Sequence, residues 1–190
     1  MEKQKFEFID KKRPAYDELN KLTETLDPQK PEQGLSKLEQ LIKKDADYLE
    51  TYLFIADFYV TMDEIDKWEQ YIDKAYNKAI QMITEKSPDG LWPDVLSWNH
   101  EENRHIISAL IEKALFFWMV EENDSAIKLL HQLLQSETED QCGISFYLLA
   151  VLENMDYEVF HEKFDDEGDF NDSVYEWFDI NSVKYNTYFT

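Results

Sequence analysis

LIEKALFFWMVEENDSAIKLLHQLL, residues 110–134, carries apolar residues at steps of three and four on both sides of a short polar segment. This spacing predicts two antiparallel amphipathic helices, each with one apolar stripe. The predicted stripes are Leu110, Ala114, Phe117 and Trp118 in the first helix, and Ala126, Leu129, Leu130, Leu133 and Leu134 in the second. Residues 121–124 form the turn, and we expect Asn123 or Asp124 to cap the second helix.

A helical hairpin of this kind cannot cover its outer stripe alone, so it requires further hairpins stacked on it. The same periodicity recurs along the chain and predicts an all-α fold. One or two shorter helices are expected after the last long helix, near 157–164 and 171–178. The other predicted helices are 14–26, 31–44, 46–62, 63–86, 139–155, 157–164 and 171–178.

The composition bounds the function classes. The chain has 190 residues, 43% of them hydrophobic, with 41 acidic against 19 basic residues and a net charge of −22. This apolar content is enough for a folded domain, whereas the acidity disfavours nucleic acid and anionic membranes as partners and favours a basic protein. The N-terminal residues lack a signal-peptide core and Cys142 is the sole cysteine, so we expect a cytoplasmic protein.

Three segments lie outside the predicted array of helices 14–155. Residues 1–13 are expected to form an extended arm or short strand held to the body by Phe6 and Phe8. Residues 87–100 contain two prolines, a glycine and two tryptophans, which predicts an ordered inserted loop. Residues 156–190 carry ten acidic residues and two lysines among many aromatics and are expected to cap the array.

Gly34 and Trp68 are 34 residues apart, which is the period of tetratricopeptide repeats. Small and bulky residues that match this family's packing positions occur in two units. They are Tyr52, Ile55, Ala56, Tyr59, Trp68, Ile72 and Ala75 in one, and Leu110, Ala114, Phe117, Ala126, Leu130 and Leu133 in the other. The chain therefore resembles the tetratricopeptide repeat (TPR) superfamily, with departures such as Lys113 at an apolar position. An unrelated helical bundle is the alternative.

The resemblance implies antiparallel hairpins stacked as a short right-handed solenoid, whose first helices line a concave groove. Carried onto this chain, the predicted partner-binding groove is apolar with acidic edges and suits a basic helix or peptide. Its residues are Glu50, Leu53, Asp57, Val60, Thr61, Ser108, Ile111, Leu115, Trp118, Met119, Ser145, Leu149 and Glu153. Packing of Trp118 against the inserted loop or the cap is the alternative for that side chain.

The sequence offers no catalytic constellation. His100 and His105 are five residues apart and do not share a helical face, so a zinc-protease pattern fails. Acidic and hydroxyl residues of 165–176 fall at calcium-loop positions, but Phe170 stands where the loop requires glycine. We therefore predict no metal, no cofactor and no enzymatic activity.

Two function classes remain. The first is a non-enzymatic adaptor or chaperone-like scaffold that binds a protein segment in the helical groove. The alternative is an acidic inhibitor, of the immunity or nucleic-acid-mimic type, that blocks a basic surface. An apolar groove would retain its partner at higher salt than a purely electrostatic mimic.

Overall fold

The computed structural model describes residues 5–26, 30–137, 139–166 and 168–189. Helix makes up 68% of the structure and strand 3%, which confirms the all-α class. The chain divides into two compact units, 1–112 and 113–190. The predicted limits of arm, repeat domain and cap, at residues 13 and 155, stay predictions.

The first four helices of the first unit pack on their sequence neighbours. Pro31 opens the second of them, at a position where its missing N–H costs no hydrogen bond, and lysines close it at the end favoured by the helix dipole. The helices are α1 (Tyr16–Thr23), α2 (Pro31–Lys44), α3 (Glu50–Thr61) and α4 (Ile65–Lys86), followed by a 3-10 turn (Glu101–Asn103) that leads into α5 (Arg104–Met119).

Helix α2 has the predicted bounds, whereas α1 and α3 are shorter than predicted. Helix α1 ends at Thr23 rather than near residue 26, and part of the predicted break, 27–29, lies outside the described residues. Residues 46–48 form a turn before α3 instead of its first turn. Buried side chains on several sides of α3, including Tyr52, Ile55 and Ala56, place it inside the unit.

The N-terminal arm is extended and pairs with the inserted loop. Phe8 N–H donates to the Val95 carbonyl at 2.9 Å, and Val95 N–H donates to the Phe6 carbonyl at 3.1 Å. The Phe8 ring is 1% exposed, with Lys86 Nζ 4.7 Å from its centroid. Leu96 is fully buried, so the inserted loop is ordered against the helices as its apolar residues predict.

The second unit contains the C-terminal part of α5 and four further α-helices among its described residues. A two-residue antiparallel hairpin, which the sequence did not predict, separates the last two. The elements are α6 (Asn123–Ser136), α7 (Ile144–Leu152), α8 (Tyr157–Phe164), β1 (Asp165–Asp166), β2 (Asp169–Phe170) and α9 (Ser173–Asn181), followed by a 3-10 segment (Ser182–Tyr188).

Two predicted helix starts in this unit are wrong. Helix α6 begins at Asn123 with no side-chain cap, and the Asn123 Oδ1 atom is buried without a hydrogen bond. Helix α7 begins at Ile144 rather than near residue 139, because Gly143 adopts a left-handed conformation. Asp140 accepts from Ile144 N–H at 2.6 Å and thereby supplies a partner for a free helix-start amide.

The calcium-loop pattern of 165–176 is occupied by the β1–β2 hairpin and the start of α9. Within the hairpin, Asp165 Oδ1 accepts from Gly168 N–H at 2.8 Å, so this carboxylate satisfies the turn. Glu167, another residue of the pattern, lies outside the described residues. Across the described ranges no three His, Cys, Asp or Glu side chains are placed to hold a metal ion.

Candidate functional site

The predicted groove residues of the first unit separate into buried and accessible positions. Leu53 and Ile111 are buried, so they serve the core rather than a partner. Val60 is 46% exposed, and Asp57 and Thr61 are exposed beside it on α3. Glu50 and Ser108 are partly buried and line one cavity.

The predicted groove residues of the second unit are mostly unavailable to a partner. Leu115, Trp118, Ser145 and Leu149 are buried, and only Met119 is exposed, at 39%. Glu153 is also engaged, because Lys184 Nζ lies 3.0 Å from its carboxylate. These residues do not form an open surface in this unit.

Trp118, one of the predicted groove residues, is buried by specific contacts. Its indole N–H donates to the Met155 carbonyl at 2.8 Å, and its ring meets Tyr157 and Phe160 edge-to-face at 5.4 Å. The side chain thus packs against residues of the predicted cap, the alternative stated for it. A buried indole with a satisfied N–H that packs on other rings contributes to stability.

Glu112 is the residue that sequence reasoning missed. It lies four residues after Ser108 on α5 and so shares that side of the helix. Glu50, Phe54 and Asp57 share one side of α3 at steps of four and three. We call Glu50, Phe54, Asp57, Ser108 and Glu112 the acidic face.

The electrostatics of the acidic face show that its carboxylates influence one another. Burial raises the pKa of Glu112 to about 7, and the charges of Asp57 and Glu50 raise it further. Burial also raises the pKa of Glu50, with Asp57 adding to the effect. Asp57 keeps contact with solvent, yet its partial enclosure raises its pKa as well.

Among the described residues, none donates a hydrogen bond to, or forms an ion pair with, the side chains of Glu50, Asp57 or Glu112. Carboxylates that lose water without gaining a partner destabilise a folded chain. The acidic face is therefore an unfavourable arrangement for the isolated first unit, and an added cation would relieve it.

A cavity of 370 Å³ adjoins the acidic face and shares Glu50, Phe54 and Ser108 with it. Its size is near the lower limit of small-ligand sites, which span roughly 300–1,000 Å³. The wall contains four aromatic rings and three carboxylates together with basic and polar groups. The lining residues are Lys12, Arg13, Tyr16, Asn20, Tyr48, Glu50, Phe54, Trp98, Glu101, Glu102, Arg104, His105 and Ser108.

The rings of this cavity are held in place by specific contacts. Tyr16 and Tyr48 have centroids 6.2 Å apart with their planes inclined at 59°. Tyr16 O–H donates to Glu101 at 2.5 Å, which raises the pKa of the tyrosine. Arg104 stacks on Trp98 at 5.4 Å and donates from Nε to the Trp98 carbonyl at 3.2 Å.

A buried ionic network lies behind the cavity. Asp10 Oδ2 accepts from Arg13 Nε at 2.5 Å, and Asp10 Oδ1 accepts from Lys86 Nζ at 2.8 Å. Arg13 extends the network to Asp45 at 3.6 Å and Asp47 at 3.4 Å. Burial would raise the pKa of Asp10, but the hydrogen bonds that it accepts hold that pKa well below its usual range.

His105 belongs to this network and is not free for proton transfer. Its Nδ1 accepts from Leu49 N–H at 3.1 Å, which leaves the proton on Nε2, where Asp10 accepts at 3.1 Å. Burial lowers the pKa of His105 despite the nearby Asp10 charge, so the neutral imidazole is favoured. The side chain positions α5 against the start of α3.

No family model matches the chain, and neither curated proteins nor solved structures include a significant match. Within the described ranges, every helix is too short or too polar to cross a bilayer. The acidic face and the adjoining cavity are therefore the features of the molecule that bear on its function.

Proposed function

We propose that the chain is a non-enzymatic protein-interaction module whose acidic face binds a basic segment of a partner protein. The single observation that carries the proposal is the set of carboxylates Glu50, Asp57 and Glu112, which lack cationic partners among the described residues. A partner that presents lysine or arginine would supply the missing charge and lower the cost of their burial.

The surroundings of these carboxylates support a peptide rather than a simple ion as the occupant. Phe54 lies between Glu50 and Asp57 on α3, and the exposed Val60 extends this side of the helix by one turn. Alternating apolar and acidic groups match a helix or extended peptide with basic and apolar residues. The apolar contacts would supply area and the carboxylates would steer the approach.

We infer that the helices stack in the manner of tetratricopeptide repeats, with residues 156–190 as an acidic cap. Packing of α2 on α3 and of α3 on α4 in the first unit, and of α6 on α7 in the second, supports this arrangement. In such repeats the first helix of each hairpin lines the binding surface. We assign that position to helices α3 and α5, which carry the acidic face.

A peptide library displayed on phage tests the proposed function against the full chain. We expect enriched sequences to combine lysine or arginine with apolar residues at helical spacing. The variants Asp57→Asn and Glu112→Gln should each weaken the selected peptides by about fivefold or more, since one charge-assisted contact contributes roughly 1 kcal/mol or more. Glu69→Gln, an exposed carboxylate change on α4, is the matched control and should have no effect.

The selection contradicts the proposal if enriched peptides are not basic, or if Glu112→Gln and Asp57→Asn bind them as well as the native chain does. The dependence of binding on salt concentration gives a second test. Retention of binding at moderate ionic strength supports a mixed apolar and acidic surface, whereas loss of all binding favours the purely electrostatic inhibitor.

A further inference from the structure

We propose that the 370 Å³ cavity beside the acidic face is a binding site for an ammonium group, on a lysine side chain or on a small organic amine. The inference deepens the proposed function, on which its lysine form rests, because Glu50 and Ser108 belong to both sites. The ammonium site specifies the chemical group that is bound and the aromatic rings that surround it.

The rings of the cavity provide the surface that an ammonium group prefers. Tyr16 and Tyr48 are inclined at 59° with centroids 6.2 Å apart, so they form two walls of a corner. Phe54 contributes a third ring from α3. A cation within about 6 Å of an aromatic face is attracted by the negative face of the ring, and several rings around one cation form the cage known for methylated ammonium groups.

The carboxylates of the cavity provide the opposite charge. Glu50 and Glu102 line it, and among the described residues neither has a hydrogen bond or ion pair. Glu101 also lines it and accepts from Tyr16 O–H, which holds that ring in place. A carboxylate beside a ring cage strengthens cation binding because it adds direct charge attraction to the attraction of the rings.

The basic residues of the wall do not convert the cavity into an anion site. Arg13 is committed to Asp10, Asp45 and Asp47. Arg104 lies on the Trp98 ring and donates to its carbonyl, so it covers one face of that indole. Lys12 lines the cavity with an exposed side chain, whose charge is screened by solvent.

The size and chemistry of the cavity also restrict the ligand. A volume of 370 Å³ suits one side-chain head or a small amine rather than a large ligand. A guanidinium is planar and prefers paired carboxylate oxygens, whereas an ammonium group is compact and fits a corner of rings. We therefore expect lysine and methylated amines to be preferred over arginine.

Nuclear magnetic resonance titration of the full chain tests the site with N-acetyl-lysine methylamide and tetramethylammonium. We expect saturable shifts of the Trp98 indole signal, assigned with Trp98→Phe, and of the Tyr48 and Glu50 amides. N-acetyl-norleucine methylamide has the same stem without the charge and should cause no saturable shift. Equal binding of the norleucine compound, or no saturable shift with either cation, overturns the ammonium site.

Two pairs of variants separate the roles of charge and ring. Glu50→Gln combined with Glu102→Gln should weaken the lysine compound by about tenfold, whereas Glu69→Gln should not. Tyr16→Leu should lose binding, whereas Tyr16→Phe, which keeps the ring and loses only its hydrogen bond to Glu101, should retain most of it. Native affinity in the double glutamine variant or in Tyr16→Leu overturns the proposal. Circular dichroism confirms that each variant is folded.

The source of the ammonium group is distinguished with a short peptide that carries one central lysine. Tighter binding of this peptide than of N-acetyl-lysine methylamide, with added shifts near Glu112, assigns the site to a partner's lysine. Binding of tetramethylammonium without binding of the peptide assigns it to a free amine, which supports the ammonium site and rules out its lysine form. Basic peptides that bind through Glu112 and Asp57 while neither small cation binds leave the proposed function standing and overturn the ammonium site.

Discussion

Asp10 joins three cationic or polar partners at one buried carboxylate. Its oxygens accept from Arg13, Lys86 and His105, and its backbone N–H donates to Asn103 at 2.9 Å. The side chain is fully buried, so removing its charge leaves Arg13 and Lys86 incompletely neutralised. This one residue therefore ties the N-terminal arm to α4 and α5.

We expect Asp10→Asn to lower the free energy of unfolding by about 3 kcal/mol at neutral pH, in the range for breaking a buried ion pair. The pKa of Asp10 is lowered in the folded chain, so its stabilisation is present above the unfolded value of about 3.9 and is lost as the pH falls through the folded value. Urea unfolding at neutral and acidic pH should show the difference between variant and native chain shrinking with acidity. A loss below about 1 kcal/mol at neutral pH, comparable to the exposed-site control Asp17→Asn, would contradict this role.

Glu112 has the opposite linkage because its pKa is raised to about 7. Between the usual value of 4.5 and this value, the folded chain holds a proton that the unfolded chain has released, so stability falls as the pH rises through that window. We expect Glu112→Gln to stabilise the chain by roughly 1 to 3 kcal/mol at about pH 8, after allowance for its partial exposure, and to change little at about pH 4. Thermal unfolding at the two pH values measures this, and destabilisation at the higher pH would refute it.

These residues show which properties of single side chains the sequence pattern can predict. The apolar stripe of α5 could be predicted because it follows from periodicity. Glu112 could not, since one glutamate in an apolar helix gives no sign of which residues face it. Asp57 and Glu50 of α3 raise the pKa of Glu112 on α5, and this effect depends on the folded arrangement of the two helices.

At the scale of elements, Gly143 sets where α7 begins. Its φ is +65°, and an added Cβ would lie 2.3 Å from a ring atom of Phe170. We expect Gly143→Ala to cost about 2 to 4 kcal/mol, from left-handed strain together with the clash. Gly90 has φ +71° with open space around it, so Gly90→Ala isolates the strain and should cost only about 1 kcal/mol. Equal losses in guanidinium unfolding would show that Phe170 does not press on this turn.

The helices were largely predictable and their ends were not. The bounds of α2 and α8 agree with the sequence pattern because a proline starts one and Asp156 caps the other. Helix α7 was predicted too long since its apolar period continues into the turn that Asp140 and Gly143 create. The β1–β2 hairpin was not predicted because strands of two residues are too short to show an alternation of apolar and polar residues.

In the whole molecule, 41 acidic residues outnumber 19 basic ones. Most of this charge lies on exposed side chains, where water and salt screen it. The acidic face differs because burial raises the pKa of its carboxylates. Buried charge rather than total charge therefore defines where a basic partner gains most, and composition alone could not locate that place.

We expect the chain to release a proton when a basic peptide binds to the acidic face. A short amphipathic peptide of lysine and leucine that docks on the acidic face should lower the pKa of Glu112, which is about 7 in the free chain, and expel its proton near neutral pH. Affinity should therefore rise as the pH increases from about 6 to about 8, a range in which lysine stays charged.

Calorimetry in two buffers of different ionisation enthalpy measures the released protons directly. Glu112→Gln should bind without this release, whereas Glu69→Gln should behave as the native chain does. Proton uptake on binding, or an unchanged release in Glu112→Gln, would place the peptide elsewhere on the molecule, because a cation brought close to Glu112 favours its ionised form.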